Sequence, residues 1–265
     1  MALSPSVMGI VNVTPDSFYP DSRTLARDEA VARGRDLFDA GCDIVDVGGE
    51  STRPGAAHVS DDEERARVLD VVAELARYGP VSIDTQKETV ARAAIAAGAT
   101  VLNDVSSTLV EVAGELGVGY VGMHRRGGAA DMQDDPHYDD VVAEIVAYLR
   151  DVASRASSAG VSPLWLDPGI GFGKTTQHNI ALLAHVDQFV ALANEFGAGV
   201  LIGTSRKRFL GELSGGLDVD QRLEGSIATE AWALLQGVSM VRVHDAAAAV
   251  QLRELLTRPV EEVVA

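Results

Sequence analysis

A single cysteine, Cys42, is all the thiol chemistry that the 265 residues hold, so no internal disulfide can staple the fold. A lone cysteine suits a reducing compartment, and a cytoplasmic location is the expectation. Long hydrophobic runs are missing as well. Nothing approaches the roughly 18 consecutive apolar residues of a membrane span, and the opening MALSPSVMGIVNV lacks the basic start and long apolar centre of a secretory leader. The expectation is an untargeted, soluble protein with no membrane partner. Positive charge is scarce: 22 Lys and Arg face 39 Asp and Glu, a net charge of −17. Such a surface repels phosphate backbones and argues against a nucleic-acid partner. A phosphorylated small substrate would need a local cluster of cations within this field, and Arg206, Lys207, Arg208 and Arg242 are the candidates.

Signatures of metal and nucleophile chemistry are equally thin. The six histidines, His58, His124, His137, His178, His185 and His244, show no H-E-x-x-H or other tight ligand spacing, and no G-x-S-x-G elbow is present. His178 and His185, seven apart on one expected helix, read as surface or packing residues. Cys42 precedes the second expected strand and reads as packing. Ser205 in Thr-Ser-Arg-Lys reads as a helix cap at least as readily as a nucleophile. The segment from Asp167 to Thr175, DPGIGFGKT, misses a phosphate-binding P-loop by one residue, since Pro168 stands where the first glycine is required. It reads instead as a glycine-rich loop that lets a planar ligand approach the backbone.

What is present is a regular alternation. Short β-branched runs at 7–11, 43–47, 81–84, 100–103, 119–123, 164–167, 200–203 and 240–243 predict eight strands. Alanine-rich amphipathic stretches, among them 61–78, 87–97, 141–159, 180–196 and 222–236, predict helices between them. Gly41, Gly98, Gly160 and Gly237 fall where a helix would end in a left-handed cap. Strand–helix alternation implies parallel strands with right-handed crossovers, and eight repeats favour closure, which removes both sheet edges. The expectation is a (β/α)8 TIM barrel as a single domain over 1–265, with an open doubly wound sheet as the alternative. The least structured stretches, 15–27, 48–60 and 125–137, follow strands one, two and five and would emerge at one face.

That face is where barrels carry their chemistry. The strand ends there read Asn12, Asp46, Asp84, Asn103 and Asp104, His124, Asp167, Ser205 to Lys207, and Arg242 to His244. Any one of these could merely start a turn or cap a helix. Polar residues at eight successive strand ends are poorly explained that way. Two chemical groups separate. Asp84, Asn103 and Asp167 are rich in acceptors, and a carboxylate pairs well with a flat group presenting two adjacent N–H donors, such as a 2-amino-pyrimidinone edge. Lys207, Arg242 and His244 lie at strands seven and eight, where barrel phosphate sites are commonly built.

With these ends assembled, the sequence strongly resembles the dihydropteroate synthase family of folate biosynthesis. The matching blocks are MGIVNVTPDSF (8–18), DVGGESTRPGA (46–56), SIDT (82–85), AGATVLNDV (97–105), MH (123–124), LDPGIGFGKT (166–175), GTSRKRFLG (203–211) and RVHD (242–245), in family order. The resemblance implies a transferase joining the methylene carbon of 6-hydroxymethyl-7,8-dihydropterin pyrophosphate to the amine of p-aminobenzoate, releasing pyrophosphate. It implies that Asp84, Asn103, Asp167, Phe172 and Lys207 hold the pterin, and that Asn12, Thr52, Arg242 and His244 meet the pyrophosphate. Mg²⁺ would bind at Asn12. Thr52, Arg53, Pro54, Phe172, Ser205 and Lys207 would form the p-aminobenzoate pocket, with Asp84, Lys207, Arg242 and His244 carrying catalysis. A homodimer is also implied, through the last helices.

Two departures stand out. The family usually follows NVTPDSF with Ser-Asp-Gly-Gly, whereas Tyr19-Pro20-Asp21-Ser22-Arg23 follows here, and Arg125-Arg126-Gly127 follows His124. Losing the glycines should stiffen loop one and alter the handling of p-aminobenzoate or of its sulfonamide mimics. A non-catalytic pterin-binding paralogue and a methyltetrahydrofolate–corrinoid methyltransferase domain remain the competing readings. The latter does not need the sets Thr52-Arg53, Ser205 to Lys207 and Arg242 to His244.

Overall fold

Eight short parallel strands close on themselves in sequence order, with the last hydrogen-bonded to the first. The structure is a computed structural model describing residues 5–13, 20–51, 58–128 and 132–258. The strands are β1 (Ser6–Asn12), β2 (Ile44–Gly48), β3 (Val81–Asp84), β4 (Val101–Asp104), β5 (Gly119–Met123), β6 (Leu164–Asp167), β7 (Gly199–Ile202) and β8 (Met240–Val243). All eight expected strands are present, shifted by at most a residue or two, and the expected (β/α)8 barrel is the observed fold rather than an open sheet. Gly41, Gly98, Gly160 and Gly237 take positive φ after their helices, as their spacing predicts.

The outer ring is α1 (Pro20–Asp39), α2 (Asp61–Leu75), α3 (Glu88–Ala96), α4 (Val110–Leu116), α5 (Val141–Ser158), α6 (Thr176–Ala184), α7 (Val186–Glu195), α8 (Arg208–Leu213), α9 (Leu223–Leu235) and α10 (Ala246–Thr257). Two expectations need correction. Residues 20–27, read as unstructured, are the start of α1. Proline tolerates a first helical position, where its missing N–H would have had no partner. The helix expected over 180–196 is two helices broken at His185, whose ψ of 31° leaves the helical range. Buried Leu182, Leu183, Val186, Phe189, Leu192 and Ala193 keep helical spacing across the break, so periodicity alone cannot show it. His178 and His185 therefore do not share a helix. His178 closes the capping box of α6 with Thr175.

Residues two apart on a strand point the same way, and this period builds the site. Met8, Ile44, Val101, Val121, Leu201 and Met240 form one buried apolar cluster, with Trp165 packed against it. Advancing two residues along each of these strands gives Ile10, Asp46, Asn103, Met123, Gly203, Arg242 and Asp167. The same inward faces are apolar in one layer and largely polar in the next, toward the strands' C-terminal ends. Valine-rich outward faces pack beneath the helices in the larger core cluster. Cys42 lies before β2 at the opposite end, buried, with its thiol pushed up to about 11 chiefly by desolvation. A Cβ on Gly9 would stand 3.0 Å from its sulfur, so Cys42 fills space beside β1. No helix among the described residues is long and apolar enough to cross a membrane.

Candidate active site

The polar layer opens into a cavity of about 430 Å³ that is continuous with solvent. It gathers Asp84, Asn103, Asp167, Phe172, Ser205, Lys207, Arg242 and His244 from β3, β4, β6, β7, β8 and the segments that follow them. Asn12 is brought to the end of β1, exposed and outside the cavity lining. Thr52, Arg53, Pro54 and Tyr19 lie outside the described residues.

The carboxylates are held out of water. Asp84 is pushed up to about 7, mainly by burial and further by Asp46, against the opposing pull of Arg242. Its Oδ2 accepts from Arg242 Nη2 at 2.8 Å, while Oδ1 is buried without a partner among the described residues. Asp167 is also raised by burial, opposed by Lys207, and its Oδ1 accepts the Gly169 N–H at 2.7 Å. A buried acceptor without a donor is costly, so the Asp84 oxygen marks where a ligand N–H belongs.

Lys207 and Arg242 supply the cations. Lys207 Nζ stands 4.4 Å from the centroid of the Phe172 ring and donates to the Ile170 carbonyl. Burial draws its pKa down to about 8 despite Asp167, with Arg242 adding to the fall. Arg242 reaches across the barrel from β8: its Nε donates to Asp46 Oδ2 at 2.6 Å while Nη2 holds Asp84. The acceptor-rich and cationic groups are thus one network, with Arg242 as the bridge. His244 donates its backbone N–H to Ser205 Oγ at 3.1 Å, and its Nδ1 lies 3.1 Å from the same oxygen. Ser205 thereby orients the histidine. Arg206 and Arg208 do not join the cluster. Arg206 forms a bidentate pair with Asp245 at 2.8 and 2.6 Å and reaches Asp220, and Arg208 pairs with Glu212 outside.

Two buried residues have structural roles that the sequence did not suggest: Asp46, named only as a strand end, and Lys174, named only within its loop. Asp46 is completely buried beneath the cavity and accepts from both Asn103 and Arg242. Its signal was a carboxylate inside the apolar run Ile-Val-Asp-Val. Lys174 is 3% exposed, with Nζ 3.1 Å from His124 Nδ1 and donating to the carbonyls of Phe172 and His124. Burial and Lys174 bring His124 down to about 3, so its ring is neutral and Nδ1 accepts. The lysine is turned inward, and the N–H groups of Gly169, Gly171 and Phe172 bond to Asp167, Asn179 and Gly169. These three donors of the loop are spent within the protein, which weighs against its cradling a triphosphate.

Among the described residues, no group of three His, Cys, Asp or Glu could hold a metal ion. Asn12 offers one neutral oxygen at the rim, which suits a hard cation that takes its remaining oxygens from substrate and water.

A closed barrel with an acceptor edge, two cations and a flat aromatic wall at one end has the make-up of an enzyme site suited to a planar heterocycle bearing an anionic tail. The model of the pterin binding enzyme family matches residues 8–244, and the chain belongs to that family. Within it, the chain stands among the dihydropteroate synthases, which are transferases. The Neisseria meningitidis serogroup C dihydropteroate synthase is 44% identical, over 91% of this chain and 88% of that protein. The Xanthomonas albilineans dihydropteroate synthase, solved with 4-aminobenzoic acid, superposes with a TM-score of 0.87 at 43% identity, covering 100% of this chain and 94% of that one. The same enzyme solved with 7,8-dihydropteroate gives 0.83 at 40% identity, covering 100% and 95%.

Proposed function

We propose that this chain condenses 6-hydroxymethyl-7,8-dihydropterin pyrophosphate with p-aminobenzoate to give 7,8-dihydropteroate and pyrophosphate. The observation that carries this is the pairing, in one cavity, of the donor-hungry edge formed by Asp84, Asn103 and Asp167 with Lys207 and Arg242. The carboxylates and the Asn103 amide accept the N–H groups of the pterin, and Phe172 with Lys207 bounds its face. The C–O bond to pyrophosphate breaks with the electron pair leaving on oxygen, and the pterin ring delocalises the methylene cation left behind. Lys207, Arg242 and His244 stabilise the charge that develops on the leaving group, in a site drier than bulk solvent. The aniline lone pair of p-aminobenzoate then forms the C–N bond, and its surplus proton passes to solvent. No strong base is required, which agrees with a neutral His124 and a Lys207 held by Ile170. Asn12 is the residue we assign to Mg²⁺, which supplies further neutralisation of the pyrophosphate when bound. Thr52, Arg53 and Pro54, with Ser205, Phe172 and Lys207, are assigned to p-aminobenzoate.

Purified protein given both substrates and Mg²⁺ should form 7,8-dihydropteroate, read by chromatography; absence of product would refute the assignment. In the same assay kcat/KM for the pterin substrate should follow a bell, since this quantity reports the free enzyme. Activity should fall below about pH 7 as the Asp84 group takes up a proton, and above about pH 8 as Lys207 loses one. A profile flat from pH 6 to 9 would contradict these roles.

We also propose a homodimer closing over α9 and α10, where Trp232, Leu235 and Leu255 are 49%, 68% and 68% exposed. Sedimentation should give twice the 27.9 kDa chain mass, and a monomer at micromolar concentration would count against it.

A further inference from the structure

We infer that Asp46, which does not line the cavity, is the positioning residue that fixes the direction of hydrogen bonding in the pterin pocket. The inference rests on the function proposed above and deepens it. Asp46 faces inward from the middle of β2 and is wholly buried. One of its oxygens, Oδ2, receives two donors: Asn103 Nδ2 at 3.0 Å and Arg242 Nε at 2.6 Å. Its other oxygen, Oδ1, is buried without a partner among the described residues.

Arg242 Nε always carries its hydrogen, so the Asp46 oxygen that it meets is an acceptor, and the amide atom of Asn103 that meets the same oxygen must be the nitrogen. This settles on chemical grounds an orientation that heavy-atom positions alone leave ambiguous. The carbonyl oxygen of Asn103 is then the amide atom left for the cavity, which Asp84, with its unpartnered Oδ1, also lines. That edge takes donors only, and a ligand offering a carbonyl or an unprotonated ring nitrogen there is rejected. The same carboxylate oxygen holds Arg242 by Nε, the nitrogen nearest the chain, so the terminal nitrogens remain for Asp84 and for the ligand. Asp46 touches no substrate, yet it sets what Asn103 and Arg242 can offer.

Steady-state kinetics of Asp46→Ala and Asp46→Asn test this. In Asp46→Ala the amide can rotate and Arg242 loses one of its two anchors. KM for the dihydropterin pyrophosphate should rise at least tenfold, while KM for p-aminobenzoate stays within twofold and thermal unfolding remains cooperative. In Asp46→Asn a single carbonyl oxygen can take both bonds, and the pterin KM should return to within threefold of the unmodified enzyme. No rise in Asp46→Ala, or an equal rise in both KM values, overturns the proposal. Should Asp46→Ala fail to fold, neutron diffraction on deuterium-exchanged crystals of the unmodified protein still decides. Amide deuterons of Asn103 facing Asp46 support the inference, and deuterons facing the cavity overturn it. That measurement needs no turnover, so it separates this inference from the proposed reaction, which fails only if no dihydropteroate is made.

Discussion

Replacing Arg242 with alanine should lower kcat/KM for the pterin substrate by about 10³-fold, the scale of losing a preorganised group that stabilises developing charge. The guanidinium has two tasks, and alanine ends both. In the unliganded site it neutralises Asp46 and Asp84, which otherwise stand as two buried carboxylates with little to offset their desolvation. Asp84 is already pushed up to about 7 with Arg242 in place, so without that cation it holds a proton throughout the neutral range. A protonated Asp84 is a poorer acceptor for the pterin N–H groups, and KM should rise for that reason. The second task is to stabilise the departing pyrophosphate, which appears in kcat. Arg242→Lys should recover no more than about tenfold, because one ammonium cannot present Nε to Asp46 and Nη2 to Asp84 together. Initial rates of pyrophosphate release with both substrates varied would check this. A loss under threefold in Arg242→Ala would mean that Lys207 and His244 carry the leaving group unaided.

The barrel was legible in the sequence because each of its signals is local. β-branched runs, alanine-rich helices and capping glycines sit within a few residues of what they specify, and all eight strands were read to within a residue or two. The cavity's polar residues were legible for a related reason: barrel closure sends every strand end to one face, so listing those ends lists much of the lining. What could not be read was pairing across the barrel. Arg242 and Asp46 are 196 positions apart, and nothing near either residue announces the other. Arg206 and Lys207 are neighbours in sequence, yet Arg206 takes a φ of +58° and turns to Asp245 while Lys207 enters the cavity. Lys174 has the look of a solvated loop lysine and is instead a buried strut under His124. The start of α1 at Pro20 falls inside the stretch 15–27 that the sequence presents as one of the least structured, although proline fits a helix's first position.

Two glycines with almost the same φ separate strain from crowding. Gly160 and Gly169 have φ of +73° and +70°, but a Cβ on Gly160 meets nothing within 4 Å, whereas one on Gly169 would lie 1.9 Å from the His124 carbonyl oxygen. Gly160→Ala should therefore cost only the left-handed backbone penalty, about 1–3 kcal/mol. That corresponds to a melting temperature lower by about 5 °C in a chain of this size. Gly169→Ala bears the same penalty plus a clash with backbone, which cannot swing aside as a flexible side chain can. The loop after β6 must then move off β5. That motion breaks the Gly169 N–H bond to Asp167 and displaces Lys174 from His124. It also shifts Ile170, whose carbonyl holds Lys207. Gly169→Ala should thus lower the melting temperature by about 10 °C or more and abolish measurable pterin turnover in whatever folds, while Gly160→Ala keeps near-normal kcat. Melting curves and initial rates on the two variants, prepared side by side, measure both effects. Equal losses in the two would show that the backbone penalty alone governs them, and that the close approach of Gly169 to His124 is not what holds the pterin site in shape.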